Sequence, residues 1–155
     1  MTDVTDQGRH GALHARVRLH LAGRDQRYTR NHRNLVEVLA EADNPLAVPE
    51  ILSVQPELPQ SSVYRSLAVL ADADVVHRVL GAGDQLRFEL TEELSGEHHH
   101  HLVCERCGLV ADIATSPRLE QVLAEASRLA VLETGFEVSS HRLDLIGVCA
   151  ECATG

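Results

Sequence analysis

The sequence predicts an α+β protein, in which an N-terminal winged helix-turn-helix is followed by a small α/β domain. Short helical patterns up to residue 70 lead into a β-hairpin over residues 75–90, which is the element order of a winged helix. Four histidines, His98 to His101, then precede strand and helix patterns that extend to a paired-cysteine motif at the C-terminus. We therefore predict domains over residues 1–90 and 98–155, joined by a polar hinge over 91–97.

The predicted helices of the first domain follow one another closely. Residues 1–8 are predicted to be disordered, and apolar residues at helical spacing predict a first helix over 11–22. Thr29 is placed to cap a second helix, which ends near Pro45. A third begins at Val48, and Ser61 or Ser62 is predicted to cap a fourth over 63–70.

This layout predicts contact with double-stranded DNA, because the second helix of a helix-turn-helix enters the major groove. Its first turn would present Ser61, Ser62, Tyr64 and Arg65 to the base edges. The net charge of −9 argues against a nucleic-acid partner, but residues 81–155 carry most of it. Residues 9–33 hold seven arginines and one acid, which favours a phosphate-facing patch or, equally, a solvated helix face. The predicted DNA contacts in that region are Arg27, Tyr28 and Thr29.

The second half reads as a strand over 98–103, a strand over 109–113, a helix opened by Ser116-Pro117, and a last strand over 136–148. Such a small sheet with one helix is marginal alone. We therefore predict a homodimer that buries this domain against a second copy. The sequence contains no apolar run of about 18 residues, so a membrane span is not predicted. The N-terminus is polar and does not show a signal-peptide pattern, so we expect a cytoplasmic protein.

The four cysteines form two Cys-x-x-Cys pairs, Cys104 with Cys107 and Cys149 with Cys152. Two such pairs supply the tetrahedral sulfur shell of structural Zn²⁺, and two disulfides are the alternative. The adjacent histidines are either a surface tract or metal ligands. Because side chains alternate along a strand, His99 and His101 would face one side and His98 and His100 the other. One tract could then serve two separate metal sites.

Taken together, these motifs resemble the ferric uptake regulator family of metal-dependent repressors. The resemblance covers roughly residues 27–152 and is carried by Ser62 to Leu67, Phe88-Glu89-Leu90, His98 to Gly108, and His141 with the last cysteine pair. It implies structural zinc on the four cysteines. It also implies a sensing site at the domain junction and a further site in the dimerisation domain. The implied ligands are Glu89, His99, His101 and Asp112 for the sensing site, and His98, His100, Glu120 and His141 for the further site.

The resemblance has one departure that bears on the sensing site. The family often supplies a histidine before the third helix, where this chain has residues 44–48 without one. His32 or His77 could substitute, or the site has one ligand fewer. A site of nitrogen and oxygen donors suits Fe²⁺, Zn²⁺ or Mn²⁺. We expect an iron- or zinc-responsive repressor that binds a palindromic operator; the alternative is a peroxide sensor of the same family, to which Asp112 points.

Two other classes of protein are less well supported. An enzyme is not expected, because four thiolates close a zinc site, whereas a catalytic zinc keeps an open position. The His-x-Glu and Pro-Cys-x-x-Cys pair of zinc deaminases is also absent. A metal-storage or chaperone protein would use the histidine tract, but it would not need the predicted DNA-contacting helix.

Overall fold

The computed structural model describes residues 3–154, with side chains from His10 onward, and it confirms the predicted fold class. The first half holds four helices and three strands, and the second holds three helices and three strands. In chain order they are α1 (Asp3–Ala22), α2 (Arg30–Ala40), β1 (Leu46–Ala47), α3 (Val48–Val54), α4 (Gln60–Asp72), β2 (Val76–Leu80), β3 (Leu86–Leu90), α5 (Glu92–Ser95), β4 (His99–Cys104), β5 (Val110–Ala114), α6 (Pro117–Thr134), β6 (Asp144–Gly147) and α7 (Ala150–Ala153).

The first helix is longer than predicted. It begins at Asp3 rather than at residue 11, so residues 3–8 are helical and the prediction of disorder there is wrong. Residues 1 and 2 lie outside the described part of the chain. No proline interrupts 3–22, and the two glycines within it weaken a helix without ending it. The apolar spacing marked only the part of α1 that packs against the core, where Val17 and Leu21 are fully buried.

Helix α2 is capped as predicted, whereas the predicted cap of α4 is wrong. The Thr29 hydroxyl accepts a hydrogen bond from the His32 backbone N–H, and His32 Nδ1 in turn accepts one from the Thr29 N–H. Helix α4 begins at Gln60, with Pro59 at its N-cap, so Ser61 and Ser62 lie inside the first turn. Proline already supplies the extended entry that a capping serine would give, with φ of −61°.

A winged-helix core holds the first domain together. Helices α1 to α4 pack around a contiguous set of buried apolar side chains that includes Leu35, Ile51, Leu67 and Leu70. Strands β2 and β3 form the predicted hairpin, called the wing here, and the two-residue strand β1 adds to its β3 side. The chain enters β2 through Asp74, which adopts the left-handed conformation at φ of 56°. An aspartate tolerates this better than most non-glycine residues.

The predicted hinge contains a short helix, α5. It ends at Gly96, whose φ of 78° lies in the left-handed region that favours glycine. Helix α1 holds this segment, because Arg16 donates to the Glu93 carbonyl and His20 Nε2 lies 3.4 Å from the Glu93 carboxylate. The segment between the two sheets is thus a braced turn rather than an extended linker.

The second sheet has the order β5-β4-β6, with the histidine strand β4 at its centre. Strand β5 is antiparallel to β4, and β6 runs parallel to it on the other edge. Helix α6 has its cap at Ser116 and ends at Gly135, as predicted. The prediction of a strand over 136–148 is wrong for most of its length, since only Asp144–Gly147 pairs with β4. Before it, the Leu143 carbonyl accepts a hydrogen bond from the His101 N–H, and residues 136–142 have no strand partner among the described residues.

Helix α6 and strand β6 expose apolar side chains in this single chain. No residue of α6 is buried, and Leu132, Phe136 and Ile146 are 81%, 68% and 72% exposed. None of the helices within residues 3–154 combines the length and the apolar character needed to cross a membrane. An exposed apolar face of this kind is typical of a protein-protein interface.

The two sheets meet directly beside the cysteine pairs. Val79 of the wing is fully buried in a small cluster with Val103 and Val110 of the second sheet. Arg87 is also buried, and its guanidinium donates to the carbonyls of Gly108, at 2.9 Å, and Pro45, at 3.0 Å. The wing therefore packs on the turn that carries the first cysteine pair.

Candidate metal centres

The four cysteines lie together in what we call the cysteine centre: Cys104, Cys107, Cys149 and Cys152. Cys104 ends β4 and Cys107 follows in the turn, whereas Cys149 precedes α7 and Cys152 lies in it. All four thiols are free, and their sulfur atoms lie within 4.8 Å of one another. The Cys107 and Cys149 sulfurs are 3.8 Å apart. A tetrahedral Zn–S bond of about 2.3 Å requires sulfurs about 3.8 Å apart, whereas a disulfide requires about 2 Å.

The thiols of this centre differ in acidity. The backbone N–H groups of Cys149 and Cys107 point at Cys104 and lower its pKa to about 6. The Cys149 nitrogen lies 3.4 Å from the Cys104 sulfur. Hydrogen bonding to Cys149 and Cys107 raises the pKa of Cys152 to about 12, and burial and the charge of Cys104 act in the same direction. A divalent cation would stabilise the thiolate forms together, which fits a zinc-binding cluster.

A second group, the junction centre, spans the two sheets: Glu89, His99, His101 and Asp112. Glu89 comes from the wing strand β3, the histidines from β4, and Asp112 from β5. One carboxylate oxygen of Glu89, Oε2, lies 3.0 Å from His99 Nε2 and 3.2 Å from His101 Nε2. Asp112 oxygens lie 3.7 and 3.8 Å from the same two nitrogens. All four ligand atoms therefore face one point, within 4.8 Å of one another.

Electrostatics couples the members of the junction centre. Burial by itself would raise the pKa of Glu89, but hydrogen bonds from His101 and His99 outweigh it and leave the pKa below its usual value. Burial would lower the pKa of His101, yet the hydrogen bond to Glu89 raises it overall. Burial, together with the charge of Glu89, raises the pKa of Asp112. Acidic groups this close stabilise a shared positive charge, whether a proton on histidine or a metal ion.

The third group, called the second histidine centre, lies on the opposite face of β4: His98, His100, Glu120 and His141. Glu120 Oε1 lies 2.8 Å from His100 Nε2, and its Oε2 lies 3.1 Å from His141 Nε2 and 3.3 Å from His98 Nε2. The His98 and His141 Nε2 atoms are 3.1 Å apart. The four ligand atoms are within 4.8 Å of one another. The histidine tract thus divides between two faces, as strand alternation predicts.

Neither candidate substitute histidine belongs to these groups of mutually close ligand atoms. His32 is buried, and its Nδ1 serves the cap of α2. His77 lies opposite Glu89 in the β2–β3 ladder. It also lines a small cavity together with Glu89, His99 and His101. Asn44, before α3, instead accepts a hydrogen bond from the Asp112 N–H through its side chain.

Most of the predicted DNA-contacting residues are exposed on the first domain. Ser61, Tyr64 and Arg65 are exposed on α4, and Ser62 is partly buried. Tyr64, at 51% exposure, is a large apolar surface without a covering element in the described chain.

The other three predicted DNA contacts lie at the start of α2. Arg27 and Thr29 are exposed, although the Thr29 hydroxyl is engaged in the cap. Tyr28 is partly buried, and its hydroxyl is 2.6 Å from His14 Nδ1. Burial raises the pKa of Tyr28 to about 12. Its hydroxyl is therefore engaged within the first domain.

Sequence reasoning missed two residues that contact the centres. Asp144 accepts a hydrogen bond from His101 Nδ1 at 3.1 Å, and Glu92 contacts His98 Nδ1 at 2.6 Å. The signal for Asp144 was its place three residues after His141, in a strand pattern ending at a cysteine. Glu92 carried no sequence signal, since it lies in a polar segment read as a hinge.

Comparison with known protein families finds a match over most of this chain. The model of the ferric uptake regulator family matches residues 24–146. The ferric uptake regulation protein of Bacillus subtilis is 32% identical over 97 residues, which cover 63% of this chain and 62% of that protein. The matched part is thus less than two thirds of that relative. The peroxide-responsive repressor PerR of Staphylococcus aureus is 30% identical over 118 residues, or 74% of each chain.

Solved structures share the fold. The Helicobacter pylori ferric uptake regulator, described as having three functional metal binding sites, superposes with a TM-score of 0.73 over 93% of each chain, at 22% identity. A zinc-bound manganese uptake regulator gives a TM-score of 0.60 at 27% identity, covering 86% of this chain and 98% of that one.

Proposed function

The chain belongs to the ferric uptake regulator family, and we propose that it is a metal-responsive transcriptional repressor that binds operator DNA as a homodimer. The observation that carries the proposal is the junction centre, because it joins Glu89 of the wing to three ligands of the second sheet. An ion bound there would hold the two domains in one relative position. The family consists of regulators, and we assign no catalytic residue. Its place of action would be the cytoplasm, where DNA is present and thiols stay reduced.

We assign the three groups of side chains different roles. The cysteine centre would hold structural Zn²⁺, since four thiolates close the coordination shell. The junction centre would hold the regulatory ion, and its nitrogen and oxygen donors suit Fe²⁺ or Zn²⁺, with Mn²⁺ also compatible. The second histidine centre would hold an additional ion. Within each centre the four ligand atoms face one point, and their element types suit the ion that we assign to it.

Metal control then follows as a population shift. A bound ion stabilises the arrangement in which all four junction ligands converge. It does not stabilise an arrangement that separates Glu89 from β4, because the ion then loses a ligand. The protein would therefore favour one spacing of its two winged helices when metal is present. A palindromic operator has half-sites at one fixed spacing, so only that arrangement binds both at once.

The DNA-contacting surface would be the exposed face of α4, with Ser61, Tyr64 and Arg65 toward the major groove and Ser62 beside them. Arg27, Tyr28 and Thr29 would contact the backbone near the start of α2. The second copy would cover the exposed apolar face of α6 and β6, which a single chain leaves in water. A dimer joined through this face would carry two copies of α4, the recognition helix, one for each half-site of a palindromic operator.

We infer that His77, rather than His32, completes the junction centre. His77 is directly opposite Glu89 on the neighbouring strand, and residues so paired share one face of a sheet with Cβ atoms about 5 Å apart. It is exposed, so its side chain can rotate toward the ion without disturbing the core. The His32 Nδ1, in contrast, is committed to the helix cap.

The test is metal-dependent DNA binding by full-length protein. Operator duplexes would be selected from a random library, with anaerobic Fe²⁺ or with Zn²⁺, and affinity measured by fluorescence anisotropy. We expect tight binding only with metal in the wild type. Glu89→Ala should lose metal-dependent DNA binding while keeping one zinc per chain. His77→Ala should need a higher metal concentration to bind the same DNA. The control Glu57→Ala, at an exposed position, should bind DNA as the wild type does. Equal DNA affinity with and without metal would contradict the proposal; loss of binding after peroxide treatment of the Fe²⁺ form would favour the peroxide-sensing alternative.

A further inference from the structure

We propose that Asp144 is a positioning residue of the junction centre, which fixes the tautomer and orientation of His101 for metal binding; this inference rests on the proposed function of that centre. The Asp144 Oδ1 atom lies 3.1 Å from His101 Nδ1. The two residues are register partners on the parallel strands β6 and β4. The contact is therefore set by the backbone ladder and not only by side-chain choice.

The hydrogen bond determines which ring nitrogen of His101 is free. A carboxylate can only accept, so Nδ1 must carry the proton that it donates to Asp144. The other nitrogen, Nε2, lies 3.2 Å from Glu89 Oε2 in the junction centre and holds a proton there only while no metal is bound. An ion that displaces this proton meets the lone pair of Nε2, because Nδ1 is kept as the donor to Asp144. A carboxylate on the far nitrogen also makes the ligating nitrogen more basic, which strengthens its bond to a metal.

Asp144 itself is not a ligand of the same ion. The two nitrogens of an imidazole point away from each other, so a carboxylate on Nδ1 lies behind the ring when Nε2 faces the metal. Asp144 accordingly belongs to none of the three centres whose ligand atoms lie within 4.8 Å of one another. Its side chain is 37% exposed, whereas that of His101 is 7% exposed. It acts on the ion only through His101.

The other junction histidine has no such support. Among the described residues, His99 makes its polar side-chain contacts through Nε2 alone, with Glu89 and Asp112. His101 is thus the histidine that is held from both sides. Strand β6 itself is fixed at its far end, where the Glu105 N–H donates to the Gly147 carbonyl and the chain continues into Cys149. The cysteine centre would therefore hold the strand that carries Asp144.

The experiment is a competitive Zn²⁺ titration of full-length protein against a chelator, with the second histidine centre weakened by Glu120→Gln in every sample. Asp144→Ala should lower junction affinity about 10- to 100-fold, the usual effect of removing a partner behind a ligating histidine. Asp144→Asn keeps an acceptor oxygen without the charge and should lose less. Glu133→Gln, which removes an exposed charge from α6, is the matched control and should have no effect. The zinc of the cysteine centre should stay at one per chain in all of them.

A tautomer readout separates positioning from general support of the fold. In the Zn²⁺-loaded protein, long-range ¹⁵N NMR should show His101 protonated at Nδ1 and metal-bound at Nε2, and Asp144→Ala should change that pattern without changing His99. Unchanged affinity in Asp144→Ala, with a loss in Glu89→Ala, would overturn this inference alone. If Glu89→Ala also binds Zn²⁺ as tightly as the wild type, the junction centre and the inference fail together. If Asp144→Ala also loses the zinc of the cysteine centre, its junction affinity is not informative and Asp144→Asn is compared with the wild type instead. A wild-type junction affinity for Zn²⁺ in Asp144→Asn would overturn the role of the Asp144 charge.

Discussion

Replacement of Arg87 by alanine should destabilise the protein more than any other single arginine substitution in the wing. Its guanidinium is buried and donates to the carbonyls of Gly108 and Pro45 and to the Glu50 carboxylate, at 2.7 Å. Removal leaves two carbonyls without their charged donor, each worth about 1.5–3 kcal/mol. Because the Glu50 side chain is 47% exposed, water replaces that partner and its contribution is small. We therefore expect the free energy of unfolding to fall by about 3 kcal/mol, the lower limit of the sum for the two carbonyls.

The assay is urea unfolding of dimeric protein at fixed chain and zinc concentrations, since both shift the apparent stability. The control is Arg78→Ala, an exposed arginine on the neighbouring strand, which should change stability by less than about 0.5 kcal/mol. Arg87→Lys should recover only part of the loss, because an ammonium cannot reproduce the guanidinium fork. A loss below about 1 kcal/mol for Arg87→Ala would refute the idea that this side chain ties the wing to Pro45 and the cysteine turn.

Three further substitutions and conditions test other parts of the molecule. Cys104→Ser should lose both zinc and folding, because structural zinc contributes folding free energy; elemental analysis and a thermal melt check this, and a folded, dimeric, zinc-free variant would contradict it. Arg65→Ala should weaken operator binding by about 1–3 kcal/mol while leaving metal content unchanged, and an unaltered anisotropy titration would refute its place on the recognition helix. Burial lowers the pKa of His14 and of His32 below 6.5, so the unfolded chain binds more protons than the folded chain. Their contribution to stability is complete above pH 6.5 and is lost as the pH falls through the folded values; His14→Gln should flatten this fall in the urea midpoint, and an unchanged pH profile would count against it.

Local chemistry accounts for the parts of the site that the sequence predicts. Two cysteines separated by two residues can reach one ion from a single turn, whatever the rest of the chain does. Residues of a strand alternate between its faces, so the division of His98 and His100 from His99 and His101 follows from adjacency alone. Thr29 and Ser116 cap their helices through contacts only three residues long. Each of these interactions depends on neighbours in the chain, which a sequence displays directly.

The wrong predictions have the same physical origin as the missed residues. The alternation of residues 136–148 is typical of a strand, but only the part that pairs with β4 forms one. The sequence pattern does not show where that pairing begins. Strand β1 was missed because two residues carry no periodicity and gain their pairing from β3. Ser61 and Ser62 are residue types that often cap a helix, yet α4 begins one residue before them and Pro59 occupies its N-cap position.

The sequence by itself determined which residue types were available to bind metal and which of them share a turn or a strand face. Only the tertiary structure decided that Glu89 of the wing reaches His99 and His101, that Asp144 lies behind His101, and that Arg87 spans from the wing to the cysteine turn. These contacts join elements that are distant along the chain. Their geometry depends on how the wing, the histidine strand and the edge strand pack against one another. Packing is a property of the whole core, and no local spacing encodes it.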